Sequence, residues 1–237
     1  QMLIGKHLGM KWIVNNLIEK QDPRTIKLHN EILDIVENGG EYFDIKAIYK
    51  FFPAHRKTGK RKDDFKIEIL SDDLSTVLET FDFPRQKYGQ YLSLNDYVSP
   101  EGIDYIGFFV ATAGEKSRLV SNELKEKGEF YRGHIVNSIG LELAEATSEY
   151  IHKMMRQDVG IIDKNISLNE ILNAQYQGNR YSFGYPACPD LSDQRKLFNL
   201  LKPERYGITL TEEFMMYPEA TVSAIVFSQP FCKYFNM

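Results

Sequence analysis

Cysteine is scarce in this chain. Cys188 and Cys232 are the only two in 237 residues, too few for a disulfide framework or a four-thiolate zinc site. Their scarcity suits a reducing, cytoplasmic compartment. No apolar run reaches the roughly 18 residues of a membrane span, and no charged-then-apolar leader opens the chain, so no membrane partner is expected. A basic surplus is missing too. The formal net charge is -4, which argues against a nucleic-acid partner, because phosphate backbones call for a basic surface. The glycine patterns that cradle phosphates, G-x-G-x-x-G and G-x-x-x-x-G-K-[ST], do not occur, nor does a G-x-S-x-G elbow. "PACPD" has no second cysteine and no preceding H-x-E, so the zinc-deaminase pattern fails. Repeats, low-complexity tracts and linkers are also absent.

What remains is an ordinary globular composition, 43% hydrophobic, 13% aromatic and 26% charged. The length suits one large domain or two small ones. Helix-like apolar spacing runs from Met2 to about Glu19, already under way by Leu3, as in a piece cut from a longer protein. A second helix is predicted over 24–37, closed by the glycines of "ENGG". "IKAIYKFFPAHR" (45–56) and "DFKIEIL" (64–70) read as a hairpin whose tip is the basic cluster "HRKTGKRK". A loop-rich middle precedes "DYIGFFVATAG" (104–114), a buried strand turning at Gly114.

Helices are then predicted over 115–127, 129–157 and 166–175, the last with a Ser167/Glu170 capping box. A further helix over 192–202 is capped by Asp190 or Ser192. "TLTEEFMMYP" is turn-rich, and "TVSAIVFSQP" reads as an alternating strand. Strands and helices do not alternate regularly, which favours an α+β class with a mainly antiparallel sheet.

Two stretches carry candidate chemistry. On the long helix, Glu142, Glu145, Glu149 and His152 share one face, and "EYIH" matches the Glu-x-x-His of di-iron bundles. No second copy exists, so a solvated acidic face is favoured over metal. The core contact falls to Ile139, Leu143, Ala146 and Tyr150, and a cleft-facing polar stripe stays open. In "RYSFGYPACPDL" (180–191), Gly184 permits a close backbone approach, and Pro186 and Pro189 stiffen the chain after it. Arg180 offers a planar fork for a carboxylate, and Tyr181, Phe183 and Tyr185 offer stacking faces. Cys188 reads as a small buried hydrophobe. A small zwitterionic or nucleoside-like ligand and a stiff structural turn are evenly balanced on residue chemistry alone.

"YQGNRYSFGYPACPDL" resembles the S-adenosylmethionine-binding signature of the activation domain of cobalamin-dependent methionine synthase. "LIGKHLGMK", "FFPAHR", "DYIGFFVATAG", "LAEATSEYIH" and "YPEATVSAIVFSQPFCKYF" look like blocks of that family in family order. The resemblance implies a single helmet-like α+β domain over 1–237 with a bent antiparallel sheet. Its implied task is repair: S-adenosyl-L-methionine and one electron convert inactive cob(II)alamin to methylcobalamin. The cobalamin is carried by a neighbouring cobalamin-binding domain, and a flavodoxin or flavoprotein reductase supplies the electron.

By the same resemblance Arg180 pairs with the methionyl carboxylate, and Tyr185 and Ala187 line the adenosine. Tyr234 and Phe235 fall at a ligand-side aromatic pair, for which an apolar tail packed on the core is the plain alternative. Glu145 and Glu149 match acidic positions on a helix bordering the cleft. Departures occur at Ala174 and Leu191, where the family often has an acidic residue and a histidine. A D-W-x-P-F-F block whose Asp contacts the ligand amine has no counterpart here, which predicts weakened binding. A stand-alone reactivator of another corrinoid methyltransferase is the alternative.

Overall fold

The computed structural model describes residues 21–58, 65–163, 166–167, 170–171 and 173–236. The helix expected before Glu19 lies outside them. Helix α1 (Pro23–Glu37) starts where the Asp22 carboxylate accepts the Arg24 N–H at 3.0 Å, with Pro23 in the first turn. The glycines of "ENGG" do not take the left-handed stop expected of them. Asn38 ends α1, and the glycines wind on into a short helix α2 (Gly39–Tyr42).

Strand β1 (Lys46–Thr58) pairs antiparallel with β2 (Phe65–Leu70), Thr58 opposite Phe65, so the expected hairpin forms. Its tip, 59–64, is outside the described residues. The loop-rich middle holds an unanticipated strand, β3 (Val77–Phe81), antiparallel to β2. Val77 and Leu78 are exposed and only Phe81 is buried, so β3 carries no period-2 signal to read.

Strand β4 (Asp104–Thr112) is followed by helices α3 (Lys116–Glu126) and α4 (Phe130–Asp158). Then come β5 (Asn179–Tyr181), α5 (Gln194–Leu201), β6 (Thr209–Leu210), β7 (Met216–Tyr217) and β8 (Thr221–Phe227). Six strands form one sheet in the order β3-β2-β1-β4-β8-β5, and β6 pairs with β7. The class is α+β. Strand β8 departs from the alternation expected of it: all its residues but Val222 are buried, because it sits inside the sheet between β4 and β5. Helix α5 begins at Gln194, preceded by a 3-10 turn over Leu191–Asp193 that Asp190 caps through Ser192 N–H at 2.9 Å. The Ser167/Glu170 capping box is present, with contacts of 2.7 and 3.3 Å. Among the described residues no helix is long and apolar enough to cross a membrane.

The chain folds into two compact units. The first gathers the described residues up to Ala47 with Ala111–Glu149 and Met216–Val222. Its core is largely aliphatic: Ile32 and Ile35 of α1 meet Ile135, Val136 and Ile139 of α4, with Phe43. Arg132 ties the same two helices from outside, donating to Asp34 at 2.7 Å, to Tyr42 Oη at 2.9 Å and to Glu31. At Gly140 a Cβ would stand 2.5 Å from Ser117 Oγ, so glycine is what lets α3 and α4 close.

The second unit gathers the described residues of Ile48–Val110, Tyr150–Met215 and Ser223–Met237. Its core sets clusters of rings among aliphatic side chains such as Ile67, Ile69 and Ile106. Phe81 stacks with Phe108 at 5.5 Å, Phe83 at 5.7 Å and Phe183 at 6.1 Å between centroids. A second group joins Tyr97, Tyr181, Phe227 and Phe235.

The long helix corrects the face assigned to it. Ile139 is buried as expected, but Leu143 and Ala146 are half-buried and Tyr150 is exposed. Glu142, Ser148 and His152 take the buried positions instead.

Candidate functional site

Alternate residues of a strand face opposite ways, and β5 uses this to separate core from chemistry. Asn179, Arg180 and Tyr181 pair antiparallel with Phe227, Val226 and Ile225. Tyr181 turns into the aromatic core. Its hydroxyl donates to the Lys233 carbonyl at 2.8 Å, and burial raises its pKa far above the phenol value. Arg180 projects from the other face and is half-buried.

Nη1 of Arg180 donates to Tyr176 Oη at 3.2 Å and lies 3.4 Å from His152 Nδ1. His152 is fully buried on α4, and its Nε2 has no hydrogen-bond partner. Burial, followed by the charges of Arg180 and Arg156, pushes its pKa down to about 2, so the ring is neutral. One turn on, Arg156 is also buried, pairs with Asp163 and lies 3.8 Å from the centre of the Tyr176 ring. Tyr176 meets His152 edge-on at 5.4 Å. Gly178, at φ 84°, turns the chain between Tyr176 and Arg180. A Cβ there would sit 3.0 Å from the Phe227 carbonyl oxygen.

After Arg180 the chain makes a tight turn. Gly184, at φ 84°, donates its N–H to the Cys188 carbonyl at 2.9 Å, and Cys188 N–H returns to the Tyr185 carbonyl at 2.9 Å. The Cys188 thiol is buried and donates to the Ser182 carbonyl, and burial pushes its pKa up to about 12. That is the inert hydrophobe its sequence context suggests. Ala187 is buried, whereas Tyr185, Pro186 and Pro189 face solvent. The two prolines, with Pro84, Lys87, Tyr88 and Asn236, line an open hollow of about 650 Å³.

The C-terminal segment lies across the same aromatic group. The Lys233 carbonyl accepts from Tyr97 at 3.0 Å as well as from Tyr181, and Asn179 donates to the Cys232 carbonyl at 2.8 Å. These bonds set the Tyr234 ring parallel to Tyr181, 6.1 Å away and 7° from coplanar, with about half of its surface exposed. Phe235 points inward, against Tyr97 and Tyr181.

The geometry therefore sorts the sequence candidates. Tyr185 and Tyr234 present exposed side chains, Arg180 is half-buried with its head group against His152 and Tyr176, and Ala187 and Phe235 are buried. Tyr181 and Phe183, offered by the sequence as stacking faces, are core residues instead. Glu145 is exposed on α4 and Glu149 is half-buried. Two guanidiniums beside His152 repel a cation, which weighs against a metal at "EYIH". Among the described residues no group of three or more His, Cys, Asp or Glu could hold a metal ion. Sequence reasoning missed the roles of Arg156 and Tyr176. The four-residue step from His152 to Arg156 along α4 was the available signal for the first; Tyr176 reaches Arg180 through the reversal at Gly178, which no periodicity announces.

Residues 11–237 match a family described as vitamin B12 dependent methionine synthase, activation domain. The chain is 32% identical over 220 residues to a methionine synthase of Mycobacterium tuberculosis, and 31% over 222 residues to one of Mycobacterium leprae. Each match covers 86% of this chain, which spans 18% of the length of either relative. A crystal structure of the MetH reactivation domain bound to AdoHcy superposes with a TM-score of 0.82 at 28% identity. That match covers 94% of this chain and 71% of that one.

Proposed function

The chain belongs to the activation-domain family of vitamin B12-dependent methionine synthases, and from that premise we propose that it binds S-adenosylmethionine for reductive methylation of an inactive cobalamin. The observation that carries this is the placement of Arg180. Strand β5 lifts it out of the core opposite Tyr181, immediately ahead of a turn held by Gly184 and backed by buried Ala187 and Cys188. The similarity to a reactivation domain bound to AdoHcy, the demethylated form of the same ligand, supports the choice.

The residues fit the ligand's chemistry. A guanidinium fork matches the methionyl carboxylate. Tyr185 offers an exposed ring to the adenosine, beside the backbone of Ala187. The open face of Tyr234 suits the electron-poor sulfonium; Tyr181 lies parallel to that ring, and Phe235 packs inward against Tyr97 and Tyr181. Glu145 and Glu149 are assigned to this ligand by the family resemblance alone, as acceptors for an ammonium or a ribose diol. When bound, adenosylmethionine supplies the methyl group to cobalamin, with one electron from a flavodoxin or flavoprotein reductase. The chain's own part is to bind and orient. The cobalamin-binding domain is its neighbour in this reading, residues 1–237 act as one domain, and the setting is cytoplasmic.

Calorimetry with adenosylmethionine tests it. Arg180→Ala should lose about 2–4 kcal/mol of binding energy, since it removes a charged clamp. Equal binding with and without Arg180, or no binding by the unaltered chain, overturns the reading.

A further inference from the structure

Resting on the adenosylmethionine reading above, we propose that His152 and Tyr176 are positioning residues that hold the Arg180 guanidinium in the orientation in which it meets the ligand carboxylate. Both present an acceptor to the same nitrogen, Nη1, at 3.4 and 3.2 Å. Anchoring one corner of a planar fork fixes the plane of its other donors. It also removes rotamer freedom that the ligand would otherwise have to quench on binding.

The surroundings hold the two acceptors in turn. The Arg156 guanidinium lies on the Tyr176 ring at 3.8 Å, and His152 meets that ring edge-on. The backbone reversal at Gly178 brings Tyr176 back beside the arginine four residues later. His152 serves as acceptor only when neutral, with its proton on Nε2. Its burial between two guanidiniums keeps it so. A residue that merely filled core at this place would not carry a buried ring nitrogen without a partner, as Nε2 is. The cost is accepted where Nδ1 has a use.

The experiment is calorimetry of S-adenosylhomocysteine binding to the full chain and its variants, each checked by thermal melting. His152→Leu and Tyr176→Phe should each weaken binding about tenfold, the loss of one hydrogen bond to a charged group. His152→Asn puts an amide oxygen close to where Nδ1 stands and should recover most of the affinity. In an Arg180→Ala background the same substitutions should cost nothing further, because they act through the arginine.

Unchanged affinity in Tyr176→Phe and His152→Leu beside a loss in Arg180→Ala overturns the inference and leaves the adenosylmethionine reading standing. So does an equal loss with and without Arg180, which would mark packing alone. If His152→Leu fails to fold, Tyr176→Phe decides, since it keeps the ring that Arg156 covers. A chain that binds no S-adenosylhomocysteine, or binds it equally well as Arg180→Ala, overturns the underlying reading instead.

Discussion

The two compact units are built from different materials. The first packs aliphatic side chains of α1 against α4, Ile32 and Ile35 against Ile135, Val136 and Ile139, with Arg132 lashed outside to Glu31 and Asp34. The second adds ring clusters to its aliphatic residues, Phe81 with its three phenylalanine neighbours and Tyr97 with Tyr181, and ties the last two by their hydroxyls to the Lys233 carbonyl. Aliphatic helix faces need only volume and periodicity. Rings with polar tips need a specific carbonyl at a specific place, so the second unit holds its candidate ligand groups in a defined geometry.

Four measurements put that contrast at risk. Phe81→Ala should be the most damaging, losing about 3–5 kcal/mol, with Ile139→Ala losing about 2–5 kcal/mol, both read by urea unfolding. A much smaller loss at Phe81 would mean that the ring cluster is not the keystone of its unit. Next is the pH response of His152. Its pKa is depressed in the folded chain to about 2 from 6.5, so its neutral form contributes stability that is present above pH 6.5 and lost as the pH falls toward 2. The slope should approach about 1.4 kcal/mol per pH unit, one proton's worth. The groups facing the ring are Arg180, Arg156 and Tyr176. His152→Asn should remove this part of the acid sensitivity, and an unchanged profile would contradict the burial.

Tyr181→Phe should cost about 1 kcal/mol. The Lys233 carbonyl still accepts from Tyr97, so the loss stays modest, and faster hydrogen exchange along residues 228–236 should accompany it. Smallest is Arg132→Gln, at under about 1 kcal/mol and shrinking in high salt, because its ion pairs are partly exposed and screened. A large loss there would mean that the first unit depends on polar ties as heavily as the second.

Legibility did not follow that division. The helix over 24–37 and the β1–β2 hairpin could be read closely, since each carries its own periodicity. Strand β3 could not, because its pairing with β2 rather than its pattern makes it a strand. On α4 the acidic run looked solvated. The structure buries Glu142 and His152 and exposes Tyr150, because the packing around the helix, and not residue polarity, selects the inward face. In the loop, the conformational need for Gly184 and the inertness of Cys188 were visible from residue type. That Tyr181 and Phe183 belong to the core while Tyr185 and Tyr234 stay open was not.

Short windows of sequence were enough to specify the α+β class, the main helices, the hairpin and the family signature around Arg180. Period, capping and glycine freedom act between near neighbours, so a local stretch contains them. It took the closed fold to bring Arg180 to His152, twenty-eight residues earlier, and to lay the C-terminal tail across Tyr97 and Tyr181. Burial sets both the neutral state of the histidine and the orientation of the rings. Burial is a property of what closes over a residue, which no local stretch of chain contains.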